Sequence, residues 1–327
     1  MNAGILLFRC LLMYLVVVHH VIVHTSFATD ARLFPLFLLT IPAVDGFVSI
    51  SGWFGVRFGW RKCGVIAGQI VYYAVLSSLF SVFAVWMGWM ERPVVAVGNA
   101  WYGVAYLALL LVSPLLNAGL ETVAANGTWR RVLELLAVLA VADFVSRGVG
   151  LGFTVSGFGS HTFATFFLVY CGMWLLRRRV CGRYRRLVVT AGIAMFALSC
   201  IGFVGVRLFG GETHCLKVVE RFGLYNSPFV MSAAFSAVTV FAGFKVPAKF
   251  MAVLTGIAPS LFAVYLLSDA SPVGRMFLVE RPVAGMTAVD AVAWSAVVFG
   301  AGIAFDLLVR RIPLLVLRRI YGKVCHA

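Results

Sequence analysis

Residues 8 to 24 read FRCLLMYLVVVHHVIVH, a segment apolar enough to cross a membrane that nevertheless carries Arg9, His19, His20 and His24. Imidazole takes and gives protons near neutral pH, and guanidinium grips phosphate through a planar fork of donors. Whether these groups can act together depends on helix geometry. Successive residues turn by about 100° and rise about 1.5 Å, so Arg9 and His20 fall within about 20° of each other, roughly 16 Å apart along the axis. His24 lies on the same side one turn further on, and His19 points elsewhere. An ionisable group at that depth costs several kcal/mol unless it faces a polar cavity or a partner. A lone histidine reads as bonded to a neighbouring backbone carbonyl, and His19 is left in that role. An arginine and two histidines on one face point instead to a polar chamber lined by protein, with a cation near one rim and imidazoles deep inside.

The next apolar run, TIPAVDGFVSISGWFGVRF, holds Asp45 in its middle. Asp45 stands twelve residues, or about 18 Å, before Arg57, close to the depth of His20 measured from Arg9. If the two antiparallel helices touch, a His20–Asp45 pair becomes available, the carboxylate fixing the imidazole tautomer and raising its basicity. The competing reading is a structural hydrogen bond from Asp45 to another helix. Ser51 and Gly52 read as small packing residues, with Ser51 as a nucleophile the remoter alternative.

The elements that must hold these residues follow from composition. Of 327 residues 62% are hydrophobic and 12% charged, and the mean hydropathy is +1.00. No water-soluble domain hides that much apolar surface in one core, so the chain is expected to be all-α, a polytopic membrane helix bundle forming a single domain over 1–327. A crossing helix needs about 20 mostly apolar residues. Such stretches recur at roughly 5–24, 34–55, 64–88, 99–116, 132–147, 161–176, 187–206, 228–244, 250–268 and 289–309, about ten in all.

The net charge of +15 raises the question of nucleic acid, and the placement of the cations answers it. With the N-terminus in the cytoplasm and the connections alternating, the inner side collects 19 of the 27 Lys and Arg, including Arg9, Arg57, Arg61, Arg130, Arg131 and the block RRRVCGRYRR at 177–186. The outer side keeps the remaining 8. This is the positive-inside pattern of a membrane protein with both ends cytoplasmic, and it leaves no nucleic-acid interface to explain. The seven cysteines form no CxxC site or disulfide framework. His214 with Glu212 lacks the further ligands a metal site needs. Glu134 with Arg130, and Asp306 with Arg310, are four apart near span ends and read as surface ion pairs. The longest hydrophilic connections, about 207–227 and 269–288, are too short for a soluble active site, so function is expected within the bundle and its rims.

Several motifs in order carry a resemblance. They are Arg9 and His20 spaced Arg-x10-His, then VDGFVSISGWF, WYGVAYLALLLVSPLLN at 101–117, YNSP at 225–228 and APSLFAVYLL at 258–267. Together they resemble the membrane acyltransferase family 3, in particular its short members that O-acylate cell-surface sugars. Two departures stand out: Ser268 follows VYLL where that family usually has His, and Trp101-Tyr102-Gly103 replaces a more usual Tyr-Trp-Phe.

The resemblance implies transfer of an acyl group, usually acetyl from acetyl-CoA, to a hydroxyl of a lipid-linked or exported polysaccharide, in a bacterial-type cytoplasmic membrane and without a metal. His20 would act as general base on the sugar hydroxyl, or first help form an acyl-enzyme, with Asp45 orienting it. Arg9, Arg57 and Arg61 suit CoA phosphates, with Ser51 and Gly52 in the same donor-binding set; for Arg9 the bland reading is an interfacial anchor. Candidate acceptor-binding residues are His24, Trp101, Tyr102, Tyr106, His161, Tyr225 and Asn226. For the aromatics an interfacial belt is the competing reading, and for His161 a satisfied interfacial side chain. Buried ions in a bundle would equally serve a transporter or flippase for a lipid-linked sugar or small anion. The chain lacks the inverted repeat that many transporters show.

Overall fold

The computed structural model describes residues 2–25, 33–94, 100–148, 163–222, 225, 227–280 and 286–311. Among them there are helices and connecting turns and no strand. In chain order the helices are α1 (Ala3–Thr25), α2 (Phe34–Thr40), α3 (Pro42–Phe54), α4 (Trp60–Trp86), α5 (Trp101–Ala125), α6 (Trp129–Gly148), α7 (Phe163–Leu175), α8 (Cys181–Phe222), α9 (Pro228–Phe241), α10 (Ala248–Ile257), α11 (Leu261–Tyr265), the single turn α12 (Pro272–Gly274) and α13 (Ala288–Asp306).

Seven segments of the described chain are long and apolar enough to cross a membrane: Ala3–His24, Phe34–Phe54, Trp60–Trp86, Trp101–Ala125, Ala164–Gly202, Ala248–Ala270 and Ala288–Arg311. Large apolar side chains stand exposed along them, among them Val71, Leu79 and Val82 on α4 and Leu115 on α5. In water that surface would be costly, and against lipid it is not. The protein is therefore a multi-pass, membrane-embedded helix bundle.

The remaining expected stretches differ for identifiable reasons. The stretches expected at 161–176, described from residue 163, and at 187–206 contribute to one helical run, Ala164–Gly202, interrupted by a π-helical turn at Leu176–Val180 that carries Arg177, Arg178 and Arg179. The stretch at 132–147 is helical, but α6 carries Arg130, Arg131, Glu134, Asp143 and Arg147 and is not among the seven. The stretch at 228–244 yields the 14-residue helix α9, shorter than the roughly 20 residues a straight crossing needs. The hydrophilic connection expected at 207–227 is helical as far as Phe222.

What positions the site is the centrality of α1. It touches α2, α3, α9, α10, α11 and α13. The most apolar stretch of α1 is 67% buried inside the protein, against 17% for α4, of which Tyr73, Ser77 and Ser81 are among the few residues turned inward. Asn2 caps the start of α1 through the Ile5 amide and donates to the Ala242 carbonyl just past α9, which fixes the end where Arg9 lies. Phe8 stacks on Phe241 at 4.6 Å. Opposite α1, α3 ends at Gly55, whose φ of 70° is the left-handed conformation that closes a helix without steric cost to glycine. Close packing of α3 on α7 depends on Gly52: a Cβ there would stand 2.6 Å from the Tyr170 carbonyl oxygen.

A second fixed point is polar. Asp306, expected on the surface with Arg310, is fully buried instead. Arg310 grips it through two hydrogen bonds, Nε to Oδ1 at 2.6 Å and Nη2 to Oδ2 at 2.9 Å, and Tyr73 of α4 donates to Oδ1 at 2.5 Å. Arg310 also donates to the Pro259 carbonyl at 3.0 Å, so one ion pair ties α4, α13 and the turn between α10 and α11 together. The i,i+4 spacing is legible in the sequence; the burial of Asp306 and its bond from Tyr73 are not.

Candidate active site

A cavity of about 700 Å³ runs beside α1 and is lined by Arg9, His19, His20 and His24 from that helix. The volume lies in the usual range for small-molecule sites, roughly 300–1,000 Å³. The cation and the imidazoles expected on one face of α1 thus open into one space. His19 lines it as well, against the angular expectation, and its Nδ1 meets the Thr40 hydroxyl at 3.0 Å, a side chain where a backbone carbonyl was expected, with its ring 5.0 Å from Phe37. Thr40 is in turn fixed by donating to the Phe37 carbonyl at 2.7 Å.

Around His20 the structure assembles a constellation that sequence reasoning missed. His20 is 9% exposed, and its Nδ1 lies 3.1 Å from the Ser268 hydroxyl. On the other side, Nε2 is 3.8 Å from Asp269 Oδ2, and Oδ1 of the same carboxylate is 3.4 Å from His24 Nε2. Ser268 and Asp269 belong to a π-helical turn, Leu266–Ala270, at the end of the Ala248–Ala270 span. Neighbours on a regular helix diverge by about 100°, whereas a widened turn of this kind brings both toward one ring, and such turns recur at functional sites. The turn is anchored from below: Ser271 meets Ser77 of α4 at 2.6 Å and accepts from the Gly274 amide at 2.9 Å.

Asp45 does not pair with His20. It is fully buried, and neither carboxylate oxygen has a hydrogen-bond partner. The cause is rotation, not depth. The face of α3 that meets the cavity carries Val44, Phe47 and Ser51, spaced three and four apart. Asp45 and Gly52, spaced seven, share a different face, the one on which Gly52 packs against α7. Equal depth predicted contact, but nothing in the sequence fixed the azimuth of α3. The carboxylate beside His20 is Asp269, and the signal for it was available: the expected alternation of spans sets the end of the stretch at 250–268 at the same membrane face as His24.

The other expected residues divide in the same way. Ser51 lines the cavity, its hydroxyl directed to the Phe47 carbonyl at 3.2 Å and to Tyr106 at 3.4 Å. Arg57 and Arg61 are exposed and, unlike Arg9, do not line the cavity; Gly52 is a packing residue. Trp101, Tyr102, Tyr106 and Tyr225 all line it, so these rings form an internal wall and not an interfacial belt. Trp101 stacks on Tyr225 at 5.8 Å, and Tyr102 lies parallel to Tyr106 at 6.1 Å with 7° between the planes. Tyr265, not singled out in the sequence, joins this wall and accepts from the Tyr102 amide at 3.3 Å. His161 and Asn226 lie outside the described residues.

The arrangement offers an imidazole with a carboxylate beside one nitrogen and a hydroxyl on the other, at the deep end of a cavity whose opposite end carries a guanidinium. Flat aromatic faces suited to stacking form the wall between. Among the described residues no group of three or more His, Cys, Asp and Glu is placed to hold a metal ion. The chain matches no protein-family model, no curated protein and no solved structure.

Proposed function

We propose that the chain is a membrane-bound O-acyltransferase of the kind the motif order resembles, moving an acetyl group from acetyl-CoA to a sugar hydroxyl of a lipid-linked or cell-surface polysaccharide. The observation that carries this reading is the single cavity joining Arg9 to His20. Along α1 the two residues are roughly 16 Å apart, a span suited to the extended arm of a CoA thioester whose phosphates stay near the guanidinium. The acceptor sugar sits against the aromatic wall, with His24 and Tyr225 beside it. His20 removes the proton of the acceptor hydroxyl as its oxygen attacks the thioester carbonyl. The C–S bond breaks, and the departing thiolate takes the proton from His20. Asp269, in the place expected for Asp45, offsets the positive charge on the imidazole while the proton is held there.

The finer topology belongs to the same reading: about ten crossings, both termini cytoplasmic, in a bacterial-type inner membrane. The distribution of 19 inner and 8 outer cations supports it. So does the run Ala164–Gly202, whose 39 residues would extend about 58 Å as one straight helix, enough for two crossings of a hydrocarbon layer about 30 Å thick. Antiparallel contact of α8 with α9, with Arg185 on the Thr239 carbonyl and Ser236 on the Val189 carbonyl, agrees with α8 returning across the membrane.

The test is the mass of the surface glycan from cells with and without the chain. Acetyl increments that vanish with the chain are expected; an identical glycan in both contradicts the reading. A transporter would instead move unaltered solute into vesicles holding the purified protein.

A further inference from the structure

An imidazole has two nitrogens, and in its neutral form one carries the hydrogen while the other is the base. At His20 the surroundings decide which. Ser268 is 1% exposed, and its hydroxyl is directed to the Tyr265 carbonyl, three residues back, at 3.4 Å. A hydroxyl has one proton and two lone pairs. The proton can go to the Tyr265 carbonyl or to His20 Nδ1. Given to Tyr265, it leaves the oxygen as an acceptor for Nδ1, 3.1 Å away, and the ring's other nitrogen needs no acceptor, which suits an Nε2 that lies 3.8 Å from the nearest carboxylate oxygen. The lone pair is then on Nε2. That nitrogen lies on the side of Asp269, which lines the cavity, and at 3.8 Å it is beyond direct hydrogen-bond distance from the carboxylate. Asp269 holds His24 instead. Ser268 itself is not among the residues lining the cavity, so it acts on the ring and not on a substrate.

We propose that Ser268 is a positioning residue that holds His20 as the Nδ1–H tautomer and so makes Nε2 the base facing the acceptor hydroxyl. The catalytic consequence rests on the acyl-transfer reading; the tautomer does not. In that reaction the hydroxyl proton arrives on Nε2, the new C–O ester bond forms, the C–S bond breaks, and the proton leaves with the CoA thiol. The opposite tautomer presents an N–H to the hydroxyl and cannot accept its proton.

The experiment is NMR of isotope-labelled imidazole nitrogens in the purified full chain, with His20→Gln identifying the His20 signals among the six histidines. The wild type is expected to show hydrogen on Nδ1 and a free lone pair on Nε2. Ser268→Ala is expected to shift the hydrogen to Nε2, toward Asp269, and to lower kcat by roughly 10- to 100-fold with KM little changed. Ser268→Thr, which keeps the hydroxyl, is expected to restore both. Hydrogen on Nε2 in the wild type overturns the proposal without any variant, and so does an unchanged tautomer in Ser268→Ala. The predicted tautomer in a wild-type chain that transfers no acetyl would uphold the positioning role and remove the acyl-transfer reading, so the two failures are distinct.

Discussion

His20 and Ser268 are 248 residues apart in the chain, yet the imidazole Nδ1 and the serine oxygen lie 3.1 Å from each other. That contact joins the first helix to the π-helical turn that also brings in Asp269, and it sets the chemistry of the deep end of the cavity.

Replacing His20 by Ala removes the base and leaves the wall of the cavity standing. Acetyl transfer is expected to fall by about 10²–10⁴, the usual contribution of a positioned general base. Thiol release from acetyl-CoA by the purified variant, set beside its thermal unfolding midpoint, separates lost chemistry from lost fold.

Asp269 and Asp45 give opposite predictions although both are buried carboxylates. Asp269→Asn keeps the shape and removes the charge beside Nε2, so kcat is expected to drop roughly 10- to 100-fold. Asp45→Asn touches neither His20 nor the cavity and is expected to leave kcat within about threefold, because the neutral amide is easier to bury than an unpaired carboxylate. Parallel kinetics of the two variants decide which acid serves the imidazole.

Arg9→Ala is expected to raise the KM for acetyl-CoA by about 10- to 100-fold, since a charged hydrogen bond is worth about 1.5–3 kcal/mol and each 1.4 kcal/mol is a factor of about ten. Arg57→Ala and Arg61→Ala lie away from the cavity lining and are expected to change it by less than about threefold. Donor saturation curves for the three variants check this, and equal effects at all three positions would favour a diffuse basic rim.

Arg310→Ala leaves Asp306 buried without its cation, a change that costs about 3–5 kcal/mol. Tyr73→Phe removes one hydrogen bond to the same carboxylate and costs about 1–3 kcal/mol. Equilibrium unfolding in detergent measures both, and the two losses are expected to be non-additive because the residues share a partner.

Much of this was legible in the sequence because it is local. Helical periodicity placed Arg9, His20 and His24 on one face of α1, and hydropathy marked the crossing segments. The aromatic wall was visible as residue types, though not as an internal surface. What escaped was rotation and tertiary contact. The depth of Asp45 followed from counting residues, but whether it turned toward α1 or α7 depended on how Gly52 docks against Tyr170. Ser268 stood out only as a departure from a family pattern, and Asp269 only as the first residue of a presumed loop. Neither announced that a π-helical turn would direct both at one imidazole.

The most direct test of the account is the transfer of radiolabelled acetyl from acetyl-CoA to polysaccharide in membranes holding wild-type or His20→Ala chain at matched abundance. The account predicts label in the polysaccharide with the wild type and none above background with the variant. Equal labelling by both, or no labelling by the wild type, would contradict it.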